Sequence, residues 1–89
     1  MINKKLKIIN KLGVHARAAM KLSDVAARFQ SEIIIRYGNR EANAKSIMDV
    51  MILAASFGAE IELLIAGDDE NEAMQAIEKL IAERFGEYE

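Results

Sequence analysis

The hydrophobic period changes repeatedly within 89 residues, and that alternation constrains the fold more tightly than any other feature. It implies short strands and helices following one another. Residues 2–9 read as a strand, with Ile2, Leu6 and Ile8 on one face and Asn3, Lys5 and Lys7 on the other. Residues 10–13 form a loop. From residue 16 to 29 the period is helical, with Ala19, Leu22, Ala26 and Phe29 on one stripe and Val25 beside it. Residues 32–37 are rich in β-branched side chains, Gly38-Asn39 is a two-residue hairpin signal, and residues 40–43 return. Ser46 opens a short apolar helix, with Asp49 completing an approximate capping box. Residues 60–65 alternate as a strand. Asp69 is expected to cap a last helix, with Glu72 closing a capping box. Ala73, Ile77, Leu80 and Ile81 make the buried stripe of that helix, and Met74 and Phe85 stand at its margins.

The order β-α-β-β-α-β-α predicts an α+β fold in two layers, four strands with helices on one face. The central hairpin must be antiparallel. The remaining strand order does not follow from pattern. With no proline, linker or repeat, residues 1–89 form a single domain.

Composition removes several function classes. Hydrophobic residues are 52% and charged residues 29%, which suits a packed globule. Twelve basic against fourteen acidic residues leave a charge of −2, so no nucleic-acid partner is expected. The absence of cysteine excludes disulfides, thiolate metal sites and a cysteine nucleophile. One histidine makes a zinc site a poor fit. No Walker loop, hydrolase elbow or dinucleotide fingerprint occurs, and no metal or cofactor is expected. Residues 1–7 lack the apolar run of a signal peptide, and no stretch reaches the ~18 apolar residues of a membrane span. A soluble, cytoplasmic protein is expected.

His15 is the main candidate for chemistry. Histidine is the side chain that titrates near neutrality when unperturbed. His15 follows Gly13 and stands where the first helix begins. The first amides of a helix lack partners, and its dipole favours negative charge there. A phosphoryl group on His15 would meet donors already in place, with Arg17 two residues on to pair with its oxygens. That end of the helix favours the neutral imidazole before attack and the dianion afterwards. The plainer alternative is a cap or a surface histidine.

Ser46 has two readings as well: an ordinary N-cap, or a phosphorylation site at a helix start, where the Asp49 carboxylate would repel the phosphate. Ile47, Met48 and Met51 leave the short helix apolar on more than one side. They either fill the core or form an exposed docking patch that Met20 extends. The acidic run 68–72 suits a helix start, and Lys4, Lys5, Lys7 and Lys11 suit a solvated strand face.

The segment Asn10-Lys11-Leu12-Gly13-Val14-His15-Ala16-Arg17 resembles the active-site motif of the HPr family, the histidine-containing phosphocarriers of the bacterial phosphoenolpyruvate-dependent phosphotransferase system. Asn43-Ala44-Lys45-Ser46-Ile47-Met48 is similar to the family's regulatory-serine segment, and Gly67-Asp68-Asp69-Glu70 to its entry into the last helix. The resemblance covers essentially the whole chain. It implies an open-faced β-sandwich, a four-stranded antiparallel sheet covered by three helices. It implies that His15 takes a phosphoryl group on Nδ1 from phosphorylated enzyme I and passes it to an enzyme IIA component. Arg17 would pair with the phosphoryl oxygens. Ser46 would be the target of an ATP-dependent kinase/phosphorylase, and Met20, Ile47, Met48 and Met51 would be the docking surface. The implied protein is a carrier rather than an autonomous enzyme, and a monomer is expected because its one apolar patch is needed for partners. Ala18 stands where the family usually has proline, and Asp49 where glycine is common. Two alternatives remain: a nitrogen-branch or regulatory paralogue acting as a phosphorylation-switched binding module, and a domain that keeps the fold without activity.

Overall fold

A computed structural model describes all 89 residues. The elements are β1 (Ile2–Lys7), α1 (Ala16–Ala26), β2 (Glu32–Tyr37), β3 (Arg40–Asn43), α2 (Ile47–Leu53), β4 (Glu60–Ala66) and α3 (Glu70–Ala82), followed by a tight turn at Arg84–Gly86. The four strands form one antiparallel sheet in the order β1-β4-β2-β3. Helix α1 packs on α2 and α3, α2 on β3, and α3 on β1 and β4. The expected open-faced sandwich is therefore the observed fold.

The strand order has a physical reason. The inner strands β2 and β4 are apolar on the core side, through Ile33, Ile35, Ile61, Leu63 and Ile65, and keep Ile34 and Leu64 half-buried on the open side. The edge strands β1 and β3 carry most of their positions as charges or amides, which blunts them against pairing with another chain. The open face is tied by polar pairs across strands: Arg36 Nη2 to Glu41 at 2.8 Å, Arg36 Nη1 to Glu62 at 3.4 Å, and Asn3 Nδ2 to Glu62 at 2.8 Å.

Several expectations need correction. Helix α1 ends at Ala26 rather than at residue 29, because the amides of Arg28 and Phe29 bond back three residues, to Val25 and Ala26, and close a turn. Met74 and Phe85 belong to the core rather than to its margin, 6% and 0% exposed. The lysines are exposed as expected, but Lys4 also reaches Glu78 of α3 at 2.7 Å, and Lys11, which lies beyond β1, pairs with Glu89 at 3.5 Å.

Asp69 precedes α3 without capping it. Its carboxylate accepts instead from the Ser31 hydroxyl at 2.5 Å and from the amides of Ser31 at 2.9 Å and Gln30 at 2.8 Å. The cause is the approach of the β4–α3 loop to the α1–β2 loop. A Cβ on Gly67 would meet Ser31 Cα at 2.6 Å, so only glycine allows it. The Ser31 hydroxyl and the Gln30 amide, outweighing partial burial, hold the Asp69 carboxyl below its ordinary range. The sign follows: a depressed folded pKa gives stability above the unfolded value, lost as pH falls through the folded one. Asp69→Asn is expected to lower Tm at neutral pH. The gap to the parent should begin to narrow once pH falls below about 3.9, the unfolded aspartate value, and close once pH has fallen through the lower folded value. Thermal unfolding across pH checks this, and a gap unchanged at acid pH contradicts it.

Candidate functional site

The site is built from the loop between β1 and α1. Ile8 exchanges backbone hydrogen bonds with the α2–β4 connection: its amide donates to Ala59 C=O at 2.9 Å, and its carbonyl accepts from Gly58 at 2.8 Å. The Val14 amide donates to Ala55 C=O at 2.9 Å. Within the loop, Gly13 N–H bonds Asn10 C=O at 3.1 Å, and the fully buried Asn10 amide returns to Gly13 C=O at 2.7 Å. The loop is thus clamped on both sides of its turn, and His15 is delivered at the N-cap of α1 with extended backbone (φ −79°, ψ −178°).

His15 does not cap the helix with its side chain. The amides of Ala16, Arg17 and Ala18 donate to no backbone carbonyl, and the first that does is Ala19, to His15 C=O at 2.8 Å. Three donors therefore point out of the helix beside an imidazole that is 31% exposed. Arg17 is exposed and forms no ion pair. A cleft of about 280 Å³ beside His15 is lined by Leu12, Val14, Ala16, Met51 and the segment 54–56. This arrangement suits binding and transfer of a small dianion at the ring, with a guanidinium ready to share its charge.

The other edge of the ring meets the C-terminal segment. His15 Nε2 contacts the Glu87 carboxylate, whose second oxygen accepts from Asn10 Nδ2 at 2.9 Å. Burial pushes the Glu87 carboxyl up, but the Asn10 amide, His15 and Lys21 outweigh it and hold the group below its ordinary range. Glu87 is accordingly an ionised, acceptor-only neighbour at neutral pH.

Ser46 caps α2, its hydroxyl oxygen accepting from the Asp49 amide at 3.2 Å. It lies at the far end of α2 from the His15 cleft, about 10 Å away by the helical rise. Met20, Ile47, Met48 and Met51 are 53%, 39%, 71% and 44% exposed, so they are surface rather than core. Val50 and Leu53 fill the core beneath them. Leu12 and Ile52, which sequence reasoning passed over, are exposed with them.

The chain matches the PTS-HPr family model, described as the PTS HPr component phosphorylation site, over residues 2–83. It belongs to the PTS-HPr family. It is 49% identical to the phosphocarrier protein HPr of Cupriavidus necator over 89 residues, all of both chains. The crystal structure of HPr-C-His from Thermoanaerobacter tengcongensis superposes with a TM-score of 0.95 at 42% identity, covering all of both chains. The HPr dimer of the same organism superposes with a TM-score of 0.78 at 42% identity, covering 98% of this chain and all of that one.

Within this PTS-HPr site, Ala18 replaces the proline expected from the resemblance. Ala18 is fully buried and its amide donates to no backbone carbonyl, so the residue brings a hydrogen-bond donor that proline lacks. Sequence reasoning missed Lys21 and Glu87, and it placed Asn10 in the motif without its contact to Glu87. The only signal for Glu87 was indirect: an apolar Phe85 followed by Gly86 after the last helical stripe, a pattern that lets the chain turn back.

Gly13 (φ 67°) holds the frame together. A Cβ there would meet Ser56 Cα at 2.8 Å and Ala55 O at 2.9 Å, both backbone. Gly13→Ala is expected to cost about 2–4 kcal/mol, from the left-handed backbone and the forced separation of the loops. Urea unfolding measures it, and a loss under about 0.5 kcal/mol, the range of a neutral surface change, would show that the clamp is not under this constraint.

Proposed function

We infer that this chain is a phosphoryl carrier of the phosphoenolpyruvate-dependent phosphotransferase system, with His15 as the acceptor. The observation that carries the reading is the half-exposed imidazole at the start of α1, beside three unpartnered amides and an unpaired Arg17. The Nδ1 lone pair attacks the phosphorus of phosphorylated enzyme I, a new N–P bond forms, and the electron pair of the broken bond leaves with the donor. The amides and Arg17 meet the phosphoryl oxygens, and their fixed positions avoid the cost of reorganising water. An enzyme IIA component then takes the group by the reverse displacement. The chain turns over no small molecule by itself.

The exposed side chains Met20, Ile47, Met48 and Met51 form the docking surface for both partners in this reading, an adaptable apolar patch beside the reacting ring. Ser46 is the regulatory phosphorylation site, acted on by a serine kinase/phosphorylase. A phosphate there would place a dianion within the docking patch and add to the charge of Asp49, which weakens docking. The chain works in the cytoplasm as a monomer, leaving the patch free. No helix is long and apolar enough to cross a membrane.

Incubation with phosphoenolpyruvate, magnesium and enzyme I, followed by intact mass and acid treatment, tests the assignment. One acid-labile phosphoryl adduct is expected, absent in His15→Ala. An adduct that persists in His15→Ala would remove His15 from the chemistry. Arg17→Ala is expected to slow single-turnover transfer by roughly 10–100-fold, with a smaller effect on partner affinity. Normal transfer with weakened docking would contradict the role given to Arg17.

A further inference from the structure

We propose that Glu87 is a positioning residue for His15: its carboxylate selects the imidazole tautomer protonated on Nε2, keeps the Nδ1 lone pair free at the start of α1, and holds the Nε2 proton while Nδ1 carries a phosphoryl group. This rests on the phosphocarrier reading above.

The C-terminal segment is held where it is by several separate interactions. Phe85 is fully buried in the core and anchors the turn. Lys21 Nζ of α1 donates to Phe85 C=O at 2.6 Å. The Lys11 amide donates to Glu89 C=O at 2.8 Å. Asn10 Nδ2 donates to Glu87 at 2.9 Å as well as to Gly13 C=O at 2.7 Å. Between two acceptors the Asn10 side chain must present its NH₂ group, and its Oδ1 is left buried without a partner. That orphaned oxygen is a cost accepted in order to aim the amide at Glu87. Arg84 and Phe85 adopt left-handed backbone (φ 58° and 55°), which residues with a Cβ avoid. Tyr88, the next side chain, is fully exposed. The strap thus accepts backbone strain and an unpaired buried oxygen, and the polar side chain it delivers to the site is Glu87.

The chemistry follows from proton inventory. An ionised carboxylate only accepts, so the nitrogen it contacts must carry hydrogen. With the proton on Nε2, Nδ1 is the nucleophile and can attack without first losing a proton. The N–P bond forms from the Nδ1 lone pair, the donor atom keeps the electron pair of the broken bond, and the ring becomes an N-phosphorylated imidazolium. Its positive charge faces Glu87. On onward transfer the N–P bond breaks, the pair returns to Nδ1, and the Nε2 proton has not moved. Glu87 touches neither the phosphorus nor the leaving atom; it acts through the ring.

The test compares the parent with Glu87→Gln, whose amide can offer either oxygen or NH₂ to Nε2. Long-range ¹H–¹⁵N correlation of the His15 ring, at a pH where it is neutral, should show the Nε2–H tautomer dominant in the parent and a mixture in the variant. With enzyme I and phosphoenolpyruvate, kcat should fall by about tenfold, the loss of one charge-assisted hydrogen bond, while the KM of enzyme I for the chain is unchanged. An Nδ1–H tautomer in the parent, or a variant with the same tautomer ratio and the same rate, overturns the proposal. Failure of the carrier reading looks different: the parent takes no phosphoryl group at all, whereas the tautomer ratio is read on unphosphorylated protein.

Discussion

The close approach of Gly13 to the backbone of Ala55 and Ser56 is the constraint on which the site depends. It brings the β1–α1 loop against the α2–β4 loop with no side chain between them. The Val14 amide can then bond Ala55 C=O, Ile8 can pair with the chain around residues 58–59, and the turn can close through Asn10. The next residue, His15, has no freedom left in where it starts the helix. A helix that begins this abruptly leaves its first amides unpaired, and most proteins satisfy them with a capping side chain. Here the N-cap residue is the proposed phosphoryl acceptor, and its side chain does not cap the helix. The open amides are what makes the position receptive to a dianion.

The two short helices show opposite solutions to the same problem. Ser46 covers the start of α2 with its own hydroxyl, and α2 can therefore expose apolar side chains around a settled end. At α1 the amides stay open, and order is supplied from a distance by the C-terminal turn. The left-handed conformation of Arg84 and Phe85 costs about 1–2 kcal/mol per residue. Complete burial of a phenylalanine returns about 1.5–3 kcal/mol, which offsets much of that cost, and the hydrogen bonds from Lys21, Lys11 and Asn10 help keep the segment docked over the loop. Stability and function meet at Phe85, whose packing holds the strap that reaches the ring.

Much of this was legible in the sequence, for identifiable reasons. The strands at residues 32–37 and 40–43 and the Ser46 cap depend on local pattern and turn chemistry, and the structure keeps them where the pattern put them. His15 and Arg17 stood out because a helix start after a glycine has a defined electrostatic character. Contacts between loops distant in sequence were not legible. Asp69 reads as a cap until Gly67 is seen to press on Ser31, and then its carboxylate is drawn across to another loop. Glu87 is 72 residues from His15, and no periodicity links them. The strand order was hidden for a similar reason, although the charges on β1 and β3 mark them as edges once the question is posed. Exposure of Met20, Ile47, Met48 and Met51 was one of two open readings, since an apolar side chain on a short helix fits core and surface equally well in one dimension.

In the proposed transfer, the open amides of α1 receive the phosphoryl group on His15. Backbone ¹H–¹⁵N spectra of the chain before and after phosphorylation test it most directly. Large downfield shifts of the amide protons of Ala16, Arg17 and Ala18 are expected, with the central strands unmoved. A phosphorylated His15 that leaves those three amides where they were would contradict it.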